Sequence, residues 1–174
     1  MVRVFIVDDH DIVRDGLRLI MGLDERIEVC GEARSLQEAL DAIPGACPDV
    51  VLLDFRLPDG DGVNGCLAIK RRFPKIKIII LTAFAKDHLV LESIRAGADG
   101  YLLKNIKSQE LIDSVIKVHE GANVLDTSVT EGVFNNISHP ESKGPSEEPS
   151  LSAREKEILE ILSLGKSNIE IAEV

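Results

Sequence analysis

The sequence predicts an α/β chain: five parallel strands, each followed by a helix, forming one sheet covered on both faces, with the start of an all-helical unit behind it. Three features of the chain point to this class. Over the first 120 of its 174 residues, short β-branched runs alternate five times with amphipathic stretches, the pattern of repeated strand–helix units. The strand candidates are apolar almost without interruption, as strands buried on both faces are. Residues 138–150, "SHPESKGPSEEPS", then break the pattern with Ser, Pro and Glu and no apolar anchor, which reads as a flexible linker.

The elements follow in order. Residues 2–7, "VRVFIV", make the first strand, and a helix over 11–22 follows because Ile12, Val13, Gly16, Leu17, Leu19 and Ile20 recur at helical spacing. "IEVCGEA" is the second strand, and the helix after it starts from Ser35, whose partner Glu38 completes a Ser-x-x-Glu capping box. "DVVLLD" is the third strand, with a helix over 63–72. "KIKIIILTA" is the fourth, with a helix over 86–96, and "GYLLK" the fifth, with a helix from Ser108 to about 119. Ser108 is placed to cap that helix through its hydroxyl, although Leu111 removes the reciprocal half of a capping box. Right-handed crossovers reduce this order to a doubly wound sheet, whose ligands sit outside the carboxyl ends of the strands.

Periodicity weakens after Gly121, with room for a short helix over 126–137. Beyond the linker, "LSAREKEILEILSLGKSNIEIAEV" resumes with two capping boxes, Ser152 with Glu155 and Ser167 with Glu170, separated by Gly165 as a helix stop. These are the first two helices of a helix-turn-helix, and the chain ends at Val174 inside the second.

Composition narrows the function. Residues 1–120 carry 16 Lys and Arg against 20 Asp and Glu, residues 121–150 carry 1 against 5, and residues 151–174 carry 3 against 5. No segment has the basic footprint of a nucleic-acid binder. Apolar runs such as "VVLL" and "IIIL" fall far short of the roughly 20 residues that cross a bilayer, and the start turns acidic where an export signal would stay apolar. We expect a cytoplasmic protein. Cys30, Cys47 and Cys66 lack C-x-x-C spacing and read as small core residues, while His10, His88, His119 and His139 are too scattered to suggest a metal site.

One apolar strand, "VVLLD", ends on a carboxylate, Asp54, and the chain turns at once through Pro58, Gly60 and Gly62. Asp8 and Asp9 end the first strand. If those strands are neighbours, three carboxylates meet at one sheet edge, where like charges about 4 Å apart repel by roughly 4 kcal/mol at an effective dielectric near 20. Hard oxygen ligands in such a place suit Mg²⁺. Thr82 and Lys104, ending the fourth and fifth strands, bring a hydroxyl and an ammonium to the same edge. Any one of these residues alone is an ordinary loop cap; five polar residues at the ends of four strands are the parts needed to place a phosphoryl group on Asp54.

The motifs "FIVDDH", "LLDFRLPDGDG", "ILTA", "GADGYLLK" and "LSAREKEILEILSLGKSNIEIA" resemble the LuxR-type (NarL/FixJ) response regulators of two-component signalling. The resemblance implies a flavodoxin-like (βα)5 receiver over 1–121 with sheet order 2-1-3-4-5, a linker over 122–150 and the N-terminal part of a LuxR-type helix-turn-helix over 151–174, lacking its recognition helix. It implies Asp54 as phosphoacceptor. Mg²⁺ would be held by Asp9, Asp54 and the backbone carbonyl of Arg56, with Asp8 helping through water. Thr82 and Lys104 would contact the phosphoryl oxygens, and drawing Thr82 inward would vacate space for Tyr101, the family's aromatic switch; packing against the fourth helix explains Tyr101 equally well. His10 takes no more than a place on the rim.

The partners so implied are a sensor histidine kinase and, for the full-length parent, promoter DNA; a homodimer is allowed and a membrane is not involved. The chain would be a signalling phosphoacceptor and not a turnover enzyme, catalysing at most its own phosphorylation from small donors and its own dephosphorylation. This chain itself is expected not to bind DNA specifically. The alternative is a phospho-dependent interaction module without DNA binding, should the native chain end near Val174. An aspartate-nucleophile phosphatase would want D-x-D-x-T where this chain has Asp8-Asp9-His10, and an FMN binder a Ser/Thr/Gly-rich loop there; neither pattern is present.

Overall fold

The computed structural model describes residues 1–83 and 87–126. The short helix, the linker and the two C-terminal helices expected beyond Asp126 lie outside the described residues.

Strands β1 (Val2–Val7), β2 (Ile27–Ala33), β3 (Val50–Asp54), β6 (Lys77–Thr82) and β7 (Gly100–Leu103) form the parallel sheet, joined in the chain by helices α1 (Asp11–Met21), α2 (Leu36–Ala46), α3 (Gly62–Arg72) and α4 (Asp87–Arg95). Helix α5 (Ser108–His119) follows β7. The order is β2-β1-β3-β6-β7 with one strand more than the sequence predicts: β8 (Val124–Leu125) pairs in parallel with β7, so the sheet has six strands. Two residues are too few to show a period. A second small sheet, the hairpin of β4 (Arg56–Leu57) and β5 (Gly60–Asp61), occupies the turn after Asp54.

Alternation along each strand builds two cores. Phe5, Val7, Val51, Leu53, Ile78, Ile80 and Tyr101 face α2, α3 and α4 through Ala39, Ile43, Cys66, Ile69 and Val90. Val4, Ile6, Val50, Leu52, Ile79, Leu81 and Leu102 face α1 and α5 through Leu17, Met21, Leu111, Ile112, Val115 and Val118. Burying a side chain of this size contributes about 1.5–3 kcal/mol, so the sheet is a rigid base for whatever its carboxyl edge carries.

The helix starts partly follow the sequence. Ser35 caps α2 by accepting the Glu38 N–H at 3.2 Å, while the Glu38 carboxylate accepts from the Arg34 N–H at 2.8 Å. Ser108 does not cap α5. Lys107 is the N-cap, and its carbonyl accepts the Leu111 N–H at 3.0 Å, which leaves Ser108 already inside the first turn. Cys47 is the other departure: it closes α2 in the left-handed conformation, φ 45°, and is exposed, whereas Cys66 is buried and Cys30 half-buried. Gly97, at φ +95°, makes the left-handed turn after α4 that a side chain would strain.

Candidate functional site

Because β1 and β3 are adjacent, with Val7 opposite Leu53, the residues that follow Val7 and Leu53 emerge side by side at the carboxyl edge. Asp8 is 1% exposed and Asp54 5%. The Asp8 N–H donates to the Ala33 carbonyl at 3.1 Å, continuing the ladder with β2 by one residue. Asp54 closes β3 opposite Leu81, whose carbonyl accepts the next N–H, that of Phe55, at 2.9 Å. Gly62 then folds the loop back on itself, since a Cβ there would lie 2.9 Å from the Phe55 Cα. Its N–H donates to the Phe55 carbonyl at 2.7 Å.

Lys104 comes in from β7. Its backbone N–H donates to the Thr82 carbonyl at 2.7 Å, and its Nζ lies 2.7 Å from Asp8 Oδ2 and 3.0 Å from Asp54 Oδ1. One ammonium therefore bridges two buried carboxylates that would otherwise repel. Burial pushes the Asp54 carboxyl above its usual range, the Asp8 charge adds to this, and Lys104 with the Arg56 N–H opposes it. For Lys104, burial disfavours the charged form, yet hydrogen bonds to Asp8 and Asp54 outweigh it and raise the ammonium pKa.

Ligand atoms of Asp8, Asp9, His10 and Asp54 all lie within 4.8 Å of one another. The three carboxylates supply the oxygen donors that a hard divalent cation takes, so the donor set fits the Mg²⁺ that the sequence suggests. Thr82 is buried on the neighbouring strand, so the site brings together Asp8, Asp9, Asp54, Thr82 and Lys104. Arg56 touches it through its backbone N–H. Tyr101 is fully buried among the α4-side residues, and the Thr82 side chain hydrogen-bonds its hydroxyl. The tyrosine already fills the interior in this structure.

His10 stands at the rim with its side chain 67% exposed; its Nδ1 lies 2.7 Å from Asp9 Oδ1 and 3.3 Å from Asp8 Oδ1, and its N–H donates to Asp8 Oδ1 at 2.9 Å. Arg14 is the participant that the sequence reading missed; its guanidinium is buried and donates to the Asp8 carbonyl at 2.6 Å. The one available hint was a cation at the inward position of an amphipathic helix.

Comparison with known proteins agrees with this geometry. The family model described as "Response regulator receiver domain" matches residues 4–116, and that of "Bacterial regulatory proteins, luxR family" matches residues 149–174. The chain is 39% identical over 175 residues to the DNA-binding transcriptional activator DevR/DosR of Mycobacterium tuberculosis, covering 99% of this chain and 79% of that protein. Among solved structures, a LuxR-family two-component response regulator from Aurantimonas superposes with a TM-score of 0.74 at 26% identity, over 78% of this chain and 97% of the other. A structure of two RcsB dimers bound to two parallel DNAs superposes with a TM-score of 0.71 at 26% identity, over 99% and 81%.

Proposed function

The chain belongs to the response regulators with a LuxR-type effector region, and we propose that within this family Asp54 is the residue that accepts the phosphoryl group, from the phosphohistidine of a sensor kinase. The observation that carries the reading is the bridge from Lys104 Nζ to Asp8 and Asp54 at the open end of the sheet. It puts a nucleophilic carboxylate, a cation and a cluster of oxygen donors at one place.

In this reading Asp9, Asp54 and the Arg56 carbonyl would hold Mg²⁺, with help from Asp8, and the ion would supply neutralisation of charge on the transferred group. A carboxylate oxygen of Asp54 attacks phosphorus in line, the P–N bond to the kinase imidazole breaks, and that nitrogen leaves with the bonding electron pair and takes up a proton. Lys104 turns its ammonium from the carboxylate to a phosphoryl oxygen. Thr82 donates its hydroxyl hydrogen to another, and Tyr101 then donates to Thr82 in return. The exchange of donors at Thr82 is the signal handed to α4, β7 and α5, supported by the Thr82–Tyr101 hydrogen bond.

The same reading assigns 1–121 to the receiver, 122–150 to a linker and 151–174 to the beginning of the DNA-binding unit. It makes promoter DNA and a second copy of the chain the partners, as the RcsB dimers on DNA suggest, and places the protein in the cytoplasm. An interaction module without DNA binding is not favoured, because residues 149–174 match the luxR family and DevR/DosR is a DNA-binding activator. Among the described residues no helix is long and apolar enough to cross a membrane. The test is incubation with acetyl phosphate with and without Mg²⁺: labelling requires Mg²⁺ and disappears in Asp54→Ala. Persistent labelling of that variant overturns the assignment.

A further inference from the structure

Helix α1 buries Arg14, Leu17 and Met21, spaced three and four residues apart. Arg14 thus stands where the helical repeat reserves room for an apolar side chain. A buried arginine, 6% exposed, is costly unless it is paired and hydrogen-bonded. Here Nη1 donates to the Asp8 carbonyl at 2.6 Å and Nη2 to the Asp11 carboxylate, while Nε faces Glu32 Oε2 at 3.6 Å as an ion pair. The two carboxylates are themselves held, Glu32 by Arg18 at 2.9 Å and Asp11 by Arg34 at 3.2 Å. Charges alternate along this chain from the loop after β2 to the middle of α1, and its centre is fixed on one backbone oxygen.

That oxygen belongs to the peptide plane joining Asp8 to Asp9. The plane is rigid, so fixing its oxygen fixes the direction in which Asp9 leaves it. On the other side, the Asp8 N–H is held by the Ala33 carbonyl at 3.1 Å. We propose that Arg14 is a positioning residue for the cation site: by clamping the Asp8–Asp9 peptide it sets the mutual aim of the Asp8 and Asp9 carboxylates and so the affinity for the divalent ion. The inference rests on the reading of Asp8, Asp9 and Asp54 as Mg²⁺ ligands. Groups that orient metal ligands typically govern affinity by about 10- to 100-fold, and a single amine in place of the guanidinium fork cannot hold the carbonyl and the flanking carboxylates together.

The experiment titrates Mg²⁺ into the whole chain and follows the Asp9 and Asp54 amide resonances, with a thermal melt of each variant. Arg14→Gln and Arg14→Lys raise the Mg²⁺ dissociation constant about tenfold, while Glu32→Gln, which loosens the network but leaves the Asp8 carbonyl contact, changes it by less than about twofold. If Arg14→Gln does not fold, Arg14→Lys decides. Folded Arg14 variants with the wild-type constant, or a Glu32→Gln change as large as theirs, overturn the proposal, the second because Arg14 would then only anchor α1 to β2. A wild-type chain whose Asp9 and Asp54 resonances ignore Mg²⁺ overturns the metal-site reading itself, a result distinct from either.

Discussion

Lys104 Nζ lies 3.0 Å from Asp54 Oδ1 across the carboxyl edge of the sheet, and the same nitrogen is 2.7 Å from Asp8 Oδ2. Two strands and a cation from a third thus converge on the carboxylate that β3 delivers to the rim. The pairing offsets the mutual repulsion of Asp8 and Asp54.

Replacing Lys104 by Met leaves Asp8 and Asp54 facing each other. Breaking a buried pair costs about 3–5 kcal/mol, and because the Lys104 side chain is 23% exposed the expected loss is nearer about 2–3 kcal/mol. Urea denaturation in EDTA checks this, and added Mg²⁺ recovers part of the loss by taking over the neutralising role.

Asp99 behaves as a structural acid. Burial works against its charge, but Lys70 and Lys77, at 2.7 and 2.9 Å, and the Ile78 N–H hold its carboxyl below the usual value of 3.8. The unfolded chain therefore binds more protons in that window, and stability rises with pH through it. Asp99→Asn costs about 3 kcal/mol at neutral pH, and the difference from wild type vanishes as pH falls through the depressed carboxyl pKa, as urea denaturation across a pH series would show.

Asp54 has the opposite sign. Its carboxyl is raised by burial, so the folded chain holds the proton longer, and stability is lost as pH rises from the ordinary carboxylate value through the raised one. Asp54→Asn accordingly melts a few degrees above wild type at neutral pH, and the two melting curves converge as pH falls to the ordinary carboxylate range. Equal melting temperatures at neutral pH would contradict the electrostatic description of the site.

Tyr101→Phe removes the hydroxyl bound by Thr82 and keeps the ring. The expected cost is about 1 kcal/mol, against about 3–5 kcal/mol for Tyr101→Ala, which empties a fully buried position. Both variants keep Asp54 labelling by acetyl phosphate if they fold, because neither touches the nucleophile; loss of labelling in Tyr101→Phe would place the hydroxyl in the transfer chemistry.

Strands β1, β3 and β6 were legible because they are buried on both faces and announce themselves as apolar runs; β2 lies at the sheet edge, with Glu28 exposed, and was legible from its place between two helical stretches; β8 was not, since Val124 and Leu125 carry no period. The site acids were legible from their position after those runs. Their electrostatic partners were less so. Lys104 could be placed at the edge, but its bridging of Asp8 and Asp54 depends on side-chain reach across β1, β3 and β7. Arg14 depends on the path of the Asp8–Asp9 peptide, which sequence patterning does not encode. Ser108 misled because hydroxyl chemistry identifies a capable cap, whereas the carbonyl that takes the first helical bond, that of Lys107, decides which residue is one.

Chemical trapping tests the central claim most directly: after treatment with acetyl phosphate and Mg²⁺, borohydride reduces an aspartyl phosphate to homoserine, which peptide mass spectrometry locates. The account predicts homoserine at position 54 alone, and only when Mg²⁺ was present. Homoserine at position 8 or 9 instead, or trapping at position 54 that ignores Mg²⁺, would contradict it.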